Sequence, residues 1–261
     1  MAAKSIVLAH GILGFGHSVP IPPFINYFNG VASHLRRKGH VVAEPMANSI
    51  GSIAQRGSQL AAAILALPPG RKVHILAHSM GGLDARHAIT KGRGVSARVA
   101  TLVTIGTPHR GSPVADAVAD RTHPLAAAIP PVLVDQLQTN AGGLENLTTE
   151  FAGRFDDDTR DVAGVRYMNV AGDASRGGHE LFFFQLAAAV GGLTGEVNDG
   201  VVTRTSALRA GHEHLADWPV DHAGEIGWSF QTPLPIVFEL PLIPTPPHFD
   251  RYDALVEALR D

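Results

Sequence analysis

The sequence contains no cysteine among its 261 residues. Disulfide bonds, thiol nucleophiles and thiolate metal ligands are therefore excluded, although the cellular compartment stays open because secreted bacterial proteins can also lack cysteine. An excess of one charge is missing too, since 21 basic and 24 acidic residues give a formal net charge of −3 without a long run of either sign. The chain lacks the basic pattern of nucleic-acid-binding proteins, and we expect no nucleic-acid partner.

Long hydrophobic runs are also absent. Residues 1–4 lead directly into a short apolar run, Ser5 to Ala9, which leaves no room for the hydrophobic region and cleavage site of a signal peptide. The most apolar later segment, Leu181 to Leu193, is shorter than a membrane span and contains glycines. We expect no transmembrane segment, and a protein that is either cytoplasmic or secreted without an N-terminal signal in this chain.

Short apolar runs alternate with helical patterns over the first 105 residues. Such runs indicate strands buried on both faces, and the alternation of strand and helix is typical of a doubly wound α/β fold. A chain of this length commonly forms one such domain, so we predict a single domain over residues 1–261, with helices on both faces of a mostly parallel sheet. The predicted strands are residues 6–9, 41–44, 73–78 and 99–105, and the helices include residues 27–38, 53–67 and 80–91.

The third predicted strand runs directly into a serine and two glycines, in the sequence Ala77-His78-Ser79-Met80-Gly81-Gly82. A strand-to-helix turn of this kind holds the serine in a strained conformation with its hydroxyl at the end of the sheet, as the Gly-x-Ser-x-Gly motif of hydrolases does. Ala77 replaces the first glycine of that motif, which is the smallest departure available. Ser79 is thus a candidate nucleophile, the alternative being a serine that only caps the helix.

A glycine-rich loop, residues 10–16, follows the first strand. It lacks both the Gly-Lys-Ser/Thr ending of a phosphate-binding loop and the spacing of a dinucleotide site. We interpret it as an oxyanion loop in which the backbone N–H of Ile12 turns toward Ser79. A plain glycine-rich turn is the alternative.

Two stretches follow the fourth strand, where the ligand-facing loops of a parallel sheet are found. His109, in the turn at residues 106–112, precedes any plausible acid in the chain, so we interpret it as a residue that organises the loop. Residues 112–140 are alanine-rich, apolar and interrupted by prolines. We interpret this segment as a helical lid inserted over the active site, with ordinary packing helices as the alternative.

A set of motifs occurs in a fixed order along the chain, at residues 10–15, 77–82, 106–112, 198–200 and 221–222. Together these motifs resemble the bacterial triacylglycerol lipases of the Pseudomonas, Burkholderia and Proteus type. The resemblance ends near Phe230 and implies an α/β-hydrolase fold.

The resemblance also implies roles for individual residues. Ser79 would be the nucleophile, His222 the base that takes its proton, and Asp199 the acid that orients the imidazole, in the chain order of that fold. The backbone N–H groups of Ile12 and Met80 would bind the oxyanion.

Two carboxylates are candidates for the acid. Asp173 competes with Asp199, because many α/β-hydrolases place the acid directly after a strand such as the one predicted at residues 165–171. His222 is favoured by its small neighbours and by the spacing of the family. The other histidines after Asp199 are His212 and His214, which flank a turn, and His248, which lies in a proline run.

The implied function is a serine hydrolase that cleaves carboxylic esters through an acyl-enzyme intermediate, without a cofactor. Three consecutive phenylalanines at residues 182–184 and the apolar segment 112–140 favour a hydrophobic substrate, such as a lipid at its interface with water. Triacylglycerols, simple esters and polyesters are not separable at this stage. A polyester depolymerase and a non-catalytic ligand-binding protein of the same fold are the alternatives.

The lipases that this sequence resembles usually hold one structural calcium ion near the catalytic histidine. In those relatives an acidic ligand stands two residues after that histidine and an amide ligand six residues after it; here these positions are Gly224 and Trp228. Calcium takes hard oxygen ligands, which neither side chain supplies, although Glu225 is adjacent. We therefore predict no metal site and an enzyme that works without calcium. The tail at residues 231–249 is predicted to be extended, followed by a final amphipathic helix.

Overall fold

The structure, a computed structural model, describes residues 2–12, 26–129, 134, 141–176, 181–228 and 246–260. In this part of the chain six strands form one sheet in the order β2-β1-β3-β4-β5-β6, and all neighbouring strands are parallel. The strands are β1 (Ser5–Ala9), β2 (Val41–Ala43), β3 (Val73–His78), β4 (Val99–Ile105), β5 (Arg166–Gly172) and β6 (Glu213–Trp218).

Helices connect the strands, and several begin where the sequence supplies a cap. The Ser52 hydroxyl accepts a hydrogen bond from the backbone N–H of Gln55, and Ser112 caps the helix that begins with Pro113. The helices of the described residues are α1 (Val31–Arg37), α2 (Ile53–Ala66), α3 (Met80–Lys91), α4 (Val95–Arg98), α5 (Pro113–Ala119), Ala141–Leu144, Thr149–Asp158, Leu181–Thr194, Arg204–Ala207 and the C-terminal helix, Pro246–Ala258. Short 3-10 turns are found at Pro124–Ala128, Glu145–Leu147 and Gly224–Ile226.

Each face of the sheet carries its own apolar core, because successive strand residues point to opposite sides. Ile6 and Leu8 of β1 pack on one side with α1 and the C-terminal helix. Val7 and Ala9 pack on the other side with α2 and α3. The predicted α/β fold, a parallel sheet with helices on both faces, is confirmed.

Two predictions about single elements are wrong. The helix expected over residues 27–38 begins only at Val31, because residues 27–30 form a turn in which Gly30 has a φ of 84°. His214 was expected beside a turn but lies inside β6. β6 is an edge strand whose residues are mostly half-buried or exposed, so it lacks the continuous apolar run of a central strand.

The segment from residue 144 to residue 158 and the tail also differ from expectation. Leu144, Leu147, Phe151 and Phe155 recur at helical spacing, which predicts an apolar stripe that lies in the core. Thr148 divides this stripe, because its hydroxyl caps the helix Thr149–Asp158, although the apolar residues do pack into or against the core. Residues 246–249 begin the C-terminal helix instead of continuing an extended tail. The rest of the predicted extended segment, up to residue 245, lies outside the described residues.

A third apolar cluster lies beside the turn that carries Ser79, because Met80 belongs to it. It joins the described part of segment 112–140 to the helix Leu181–Thr194. Residues 130–133 and 135–140 of that segment, residues 13–16 of the glycine-rich loop and the side chains of residues 182–184 lie outside the described part. The buried members are Ile53, Met80, Leu83, Val114, Ala115, Ala117, Val118, Leu125, Ile129, Val134, Leu144, Leu147, Phe155, Leu186 and Val190.

Among the described helices, none combines the length and the apolar character that crossing a membrane requires.

Candidate active site

Ser79 occupies a strained turn between β3 and α3. Its φ of 55° is positive, which is costly for a residue with a side chain. The turn can form because its neighbours are small: a Cβ at Gly81 would collide with the carbonyl oxygen of Ala9, and a Cβ at Gly82 would collide with the side chain of Thr107. The strand–serine–helix turn expected from the sequence is therefore present.

The structure brings Ser79, His222 and Asp199 together, although they are far apart in the sequence. Nε2 of His222 lies 3.0 Å from Oγ of Ser79, and Nδ1 of His222 lies 2.7 Å from Oδ2 of Asp199. A carboxylate in this place favours the tautomer with the proton on Nδ1. Nε2 is then an acceptor for the serine hydroxyl, which is the arrangement of a nucleophile with its base.

Asp199 is itself held firmly. The side chain is 1% exposed, and Oδ1 accepts the backbone N–H groups of Val201 and Val202 at 2.8 and 2.7 Å. The backbone N–H of His222 donates to the Asp199 carbonyl at 2.9 Å. Carboxylate and imidazole are thus fixed relative to each other through both side chain and backbone.

Asp173, the rival acid, makes its hydrogen bonds elsewhere. Oδ1 accepts from the backbone N–H and the hydroxyl of Ser175, and Oδ2 lies 3.8 Å from Nε of Arg176. These contacts fold Asp173 back onto its own turn. The carboxylate that lies against Nδ1 of His222 is therefore that of Asp199.

The loop of residues 10–12 lies against Ser79 and is held by a buried arginine. A Cβ at Gly11 would come within 3.2 Å of Oγ of Ser79. Arg56, which is completely buried in α2, donates from one nitrogen to the carbonyls of His10 at 2.6 Å and Gly11 at 3.2 Å. In a trans peptide the C=O and N–H groups point in opposite directions, so holding the Gly11 carbonyl turns the Ile12 N–H away from Arg56.

The His10 side chain reinforces this orientation. Its Nε2 accepts the backbone N–H of Ala47 at 3.0 Å, so the proton is on Nδ1, which donates to the Gly11 carbonyl at 2.8 Å. Burial, together with the nearby Arg56, lowers the pKa of His10 to about 4, and the ring is neutral near pH 7. The second predicted oxyanion donor is the N–H of Met80, which has no acceptor inside α3 because Met80 is its first residue.

Arg56 is neutralised by an equally buried carboxylate. Its Nε lies 2.8 Å from Oδ2 of Asp84 in α3, and a further nitrogen donates to the carbonyl of Asn48. Removing one partner of such a pair would leave an uncompensated buried charge. Arg56 and Asp84 therefore join α2 and α3 to the loop beside Ser79.

The positions expected to bind calcium in relatives do not fit an ion here. Gly224 has no side chain, and Trp228 is 5% exposed, with its indole N–H donating to the carbonyl of Tyr27 at 2.8 Å. Glu225 is completely buried and lies 3.0 Å from Nε2 of His78. Burial, with Asp199 close by, raises the pKa of Glu225 well above its usual value, which disfavours the charged carboxylate that calcium would need.

One possible metal-ligand atom from each of His78, His222 and Glu225 lies within 4.8 Å of the other two. Two imidazoles and a single carboxyl group do not supply the six to eight hard oxygen ligands that calcium requires. Each of the three side chains is already engaged in hydrogen bonds of the protein. We find no calcium cage among the described residues that follow His222.

His109 lies inside a separate polar network. It is 2% exposed, with Nε2 at 3.1 Å from Oγ1 of Thr104 and Nδ1 at 3.4 Å from a nitrogen of Arg86. Burial and the charge of Arg86 lower the pKa of His109 well below its usual value. These contacts fit a residue that organises the loop.

Sequence reasoning missed Arg56 and His78, and it considered Glu225 only as a possible calcium ligand. Arg56 did carry a signal, because Ile53, Arg56 and Leu60 share one face of α2 at helical spacing, and a charge on a buried face needs a partner. His78 and Glu225 carried none, because their meeting depends on the packing of loops far apart in the chain.

Comparisons with known proteins find similar sequences and structures among lipases and esterases. A family model described as a PGAP1-like alpha/beta domain matches residues 58–142, which include Ser79. A triacylglycerol lipase of Vibrio cholerae serotype O1 is 29% identical over 85% of this chain and 78% of its own length. The mature lipase BlEst2 of Bacillus licheniformis superposes with a TM-score of 0.69 at 25% identity, covering 86% of this chain and 87% of that one.

The chain thus resembles lipases of the α/β-hydrolase type in sequence and in fold. A metagenomic carboxyl esterase shares the fold with a TM-score of 0.74 over 98% of this chain and 75% of its own, at 19% identity. Three further triacylglycerol lipases, from a yeast and two bacteria, match over less than half of their own length. The resemblance to bacterial lipases, the α/β-hydrolase fold and the class of carboxylic ester hydrolases expected from the sequence are thus confirmed.

Proposed function

We propose that this protein hydrolyses carboxylic esters with hydrophobic acyl chains through an acyl-enzyme formed on Ser79. The observation that supports this most directly is the hydrogen-bond chain from Oγ of Ser79 through His222 to Asp199. Its distances of 3.0 and 2.7 Å are those of a nucleophile with its base and of a base with its orienting carboxylate.

The reaction runs in two halves. In the first, Oγ of Ser79 attacks the ester carbonyl while Nε2 of His222 takes the hydroxyl proton. The negative oxygen of the tetrahedral intermediate is bound by the N–H groups of Ile12 and Met80, and Asp199 stabilises the imidazolium. The intermediate then expels the alcohol, which receives the proton from Nε2.

The second half regenerates the enzyme. Water attacks the acyl group on Ser79 and gives a proton to Nε2 of His222. Collapse of the second intermediate returns this proton to Oγ and releases the carboxylic acid. No cofactor enters either half.

The acyl chain is assigned to the apolar surface beside Ser79. Met80 and partly buried Ile12, the two proposed oxyanion donors, contact the apolar cluster that includes Leu125 and Leu186. A chain attached to Ser79 therefore meets hydrocarbon on leaving the oxyanion site. We assign segment 112–140 as the cover of this surface, and triacylglycerol at a lipid–water interface is the substrate class we favour.

The test of the proposed function is Ser79→Ala. The variant should lose ester hydrolysis on the order of a thousandfold or more and should no longer react with a fluorophosphonate probe. Ser58→Ala removes an exposed hydroxyl on α2 and is the matched control, which should keep full activity. Ordinary hydrolysis by Ser79→Ala would rule out the serine mechanism, and an unreactive wild type would favour a binding protein.

A substrate series then separates the classes of ester. Wild-type kcat/KM is compared for p-nitrophenyl esters of increasing acyl length, for emulsified triacylglycerol and for an aliphatic polyester film. We expect the medium and long acyl esters and the emulsion to be hydrolysed best. Preference for the film would support a polyester depolymerase.

A further inference from the structure

A buried hydrogen-bond chain passes directly behind Ser79. It is centred on His78, which precedes the nucleophile and is 1% exposed. Nδ1 of His78 lies 2.7 Å from the hydroxyl of Tyr27. Nε2 lies 3.1 Å from the carbonyl of His222 and 3.0 Å from Oε2 of Glu225.

The carbonyl oxygen of His222 determines the direction of each hydrogen bond in this chain. A carbonyl oxygen can only accept, so Nε2 of His78 must carry a proton and donate it to His222 and Glu225. Burial and neighbouring His222 lower the pKa of His78 well below its usual value, so the ring is neutral and Nδ1 is an acceptor. The Tyr27 hydroxyl therefore donates to Nδ1.

The other end of the hydrogen-bond chain, at Tyr27, reaches the oxyanion loop. The backbone of Gly11 makes a hydrogen bond to the Tyr27 hydroxyl, and a Cβ at Gly11 would lie only 2.6 Å from that oxygen. The main chain of Tyr27 extends the connection, because its carbonyl accepts the indole N–H of Trp228 at 2.8 Å. Tyr27 thus touches the loop before Ile12 and the loop after His222 at the same time.

These contacts join the three pieces of backbone that must be in register for catalysis. Gly11 precedes the proposed oxyanion donor Ile12, His78 precedes Ser79, and the carbonyl bound by His78 belongs to His222 itself. Tyr27 and His78 contact one another, and both contact the backbone of these loops. Their effect on the reaction would be exerted through the position of these loops.

We propose that Tyr27 and His78 are positioning residues for ester hydrolysis, forming a hydrogen-bond chain that sets the oxyanion loop against the catalytic histidine. The proposal rests on the proposed function, because it requires Ile12 and His222 to act in the reaction. It predicts that breaking this hydrogen-bond chain weakens the binding of the transition state more than the binding of the ester in its ground state.

The first variant is Tyr27→Phe, which removes one oxygen and keeps the ring. We expect kcat for a p-nitrophenyl ester to fall on the order of tenfold, with KM changed less than about twofold. Binding of phenylboronic acid, whose adduct with Ser79 mimics the tetrahedral intermediate, should weaken by a similar factor. Tyr167→Phe is the matched control, because that hydroxyl accepts a backbone N–H of Val162 far from the loops, and it should leave kcat and boronic acid binding unchanged.

A second variant tests whether Tyr27 and His78 act together as one hydrogen-bond chain. His78→Gln keeps a donor near the His222 carbonyl but removes the acceptor for Tyr27, and its kcat should fall by about the same factor as that of Tyr27→Phe. The double variant should be little worse than either single one, because both break the same chain. Independent, multiplying losses would overturn the proposal, and so would an unchanged kcat in folded Tyr27→Phe.

The melting temperature of each variant is measured alongside its kinetics. A loss of kcat in Tyr27→Phe that appears equally in Tyr167→Phe, in proportion to lost stability, would show a purely structural role and overturn the proposal. Failure of the proposed function is recognised separately, because Ser79→Ala would then remain active while the Tyr27 and His78 results stood on their own. If Tyr27→Phe does not fold, the kcat and boronic acid binding of His78→Gln decide in the same way.

Discussion

Asp199 is distinguished from Asp173 by a single contact, its 2.7 Å hydrogen bond to Nδ1 of His222. Both carboxylates are buried. The sequence also gives a reason to assign either of them as the acid that orients His222. Only the packing of the loop at residues 198–203 against His222 decides between them. The backbone bond between His222 and Asp199 makes that packing part of the fold.

Asp199→Asn should therefore be far more damaging than Asp173→Asn. The amide keeps the shape of the carboxylate but favours the wrong imidazole tautomer, so we expect kcat to fall on the order of a thousandfold. Asp173→Asn should keep nearly all activity, because its partners are Ser175 and Arg176. Kinetics on one p-nitrophenyl ester provide the measurement, and the reverse order of damage would show that the acid has been wrongly assigned.

At the scale of residues, the sequence was informative where chemistry leaves a local pattern. The strain at Ser79 requires small neighbours, so the turn is visible in Gly81 and Gly82. His78 looks the same in sequence as any histidine at the end of a strand. Its contacts with Tyr27 and His222 span 51 and 144 residues, and no local pattern records them.

For the helices and strands too, the sequence predicted the elements that leave a clear local pattern and missed those that do not. Central strands were predicted because burial on both faces demands a continuous apolar run, and β3, α3 and β4 were placed at their observed ends. β6 was missed because an edge strand keeps polar residues, such as Glu213 paired with Arg166. The division at Thr148 was missed because a single capping hydroxyl interrupts an otherwise regular apolar spacing.

The described part of segment 112–140 allows its proposed role in substrate selection to be tested. The 3-10 turn Pro124–Ala128 packs on the helix Leu181–Thr194, and Leu125 is 3% exposed within the cluster beside Met80. Leu125→Asp should lower kcat/KM for long acyl esters on the order of tenfold more than for acetate esters, because a charge cannot share the surface that receives the chain.

The control for this variant is Leu193→Asp, which places the same charge on an exposed position of the neighbouring helix. It should affect long and short esters equally and only slightly. Melting temperatures show whether Leu125→Asp is folded at the assay temperature. Equal losses on long and short esters would make segment 112–140 a packing element and not a cover.

At the scale of the whole molecule, both halves of the chain contribute contacts to the loop after His222. The C-terminal helix reaches the loop after His222, where the Tyr252 hydroxyl donates to the Glu225 carbonyl at 3.1 Å and Arg251 donates to the Gly224 carbonyl at 3.0 Å. From the N-terminal half, the Asn29 side chain donates to the carbonyl of Gly227. This loop is thus secured on both sides by protein hydrogen bonds.

These contacts lead to the prediction that catalysis does not depend on calcium. A structural ion holds a loop by collecting several oxygen ligands, whereas here Trp228 and Glu225 are turned inward to Tyr27 and His78. Activity and melting temperature should therefore be the same, within error, in a chelator and in millimolar calcium.

A positive control shows that the assay can detect a loosened loop. Tyr252→Phe removes the bond to Glu225 from a completely buried side chain, and it should lower the melting temperature by about 2–4 °C. The same variant should remain insensitive to calcium, because the described residues of this loop offer the ion no set of ligands to reassemble. A drop of many degrees in wild-type melting temperature on chelation, restored by added calcium, would show that an ion holds this loop after all.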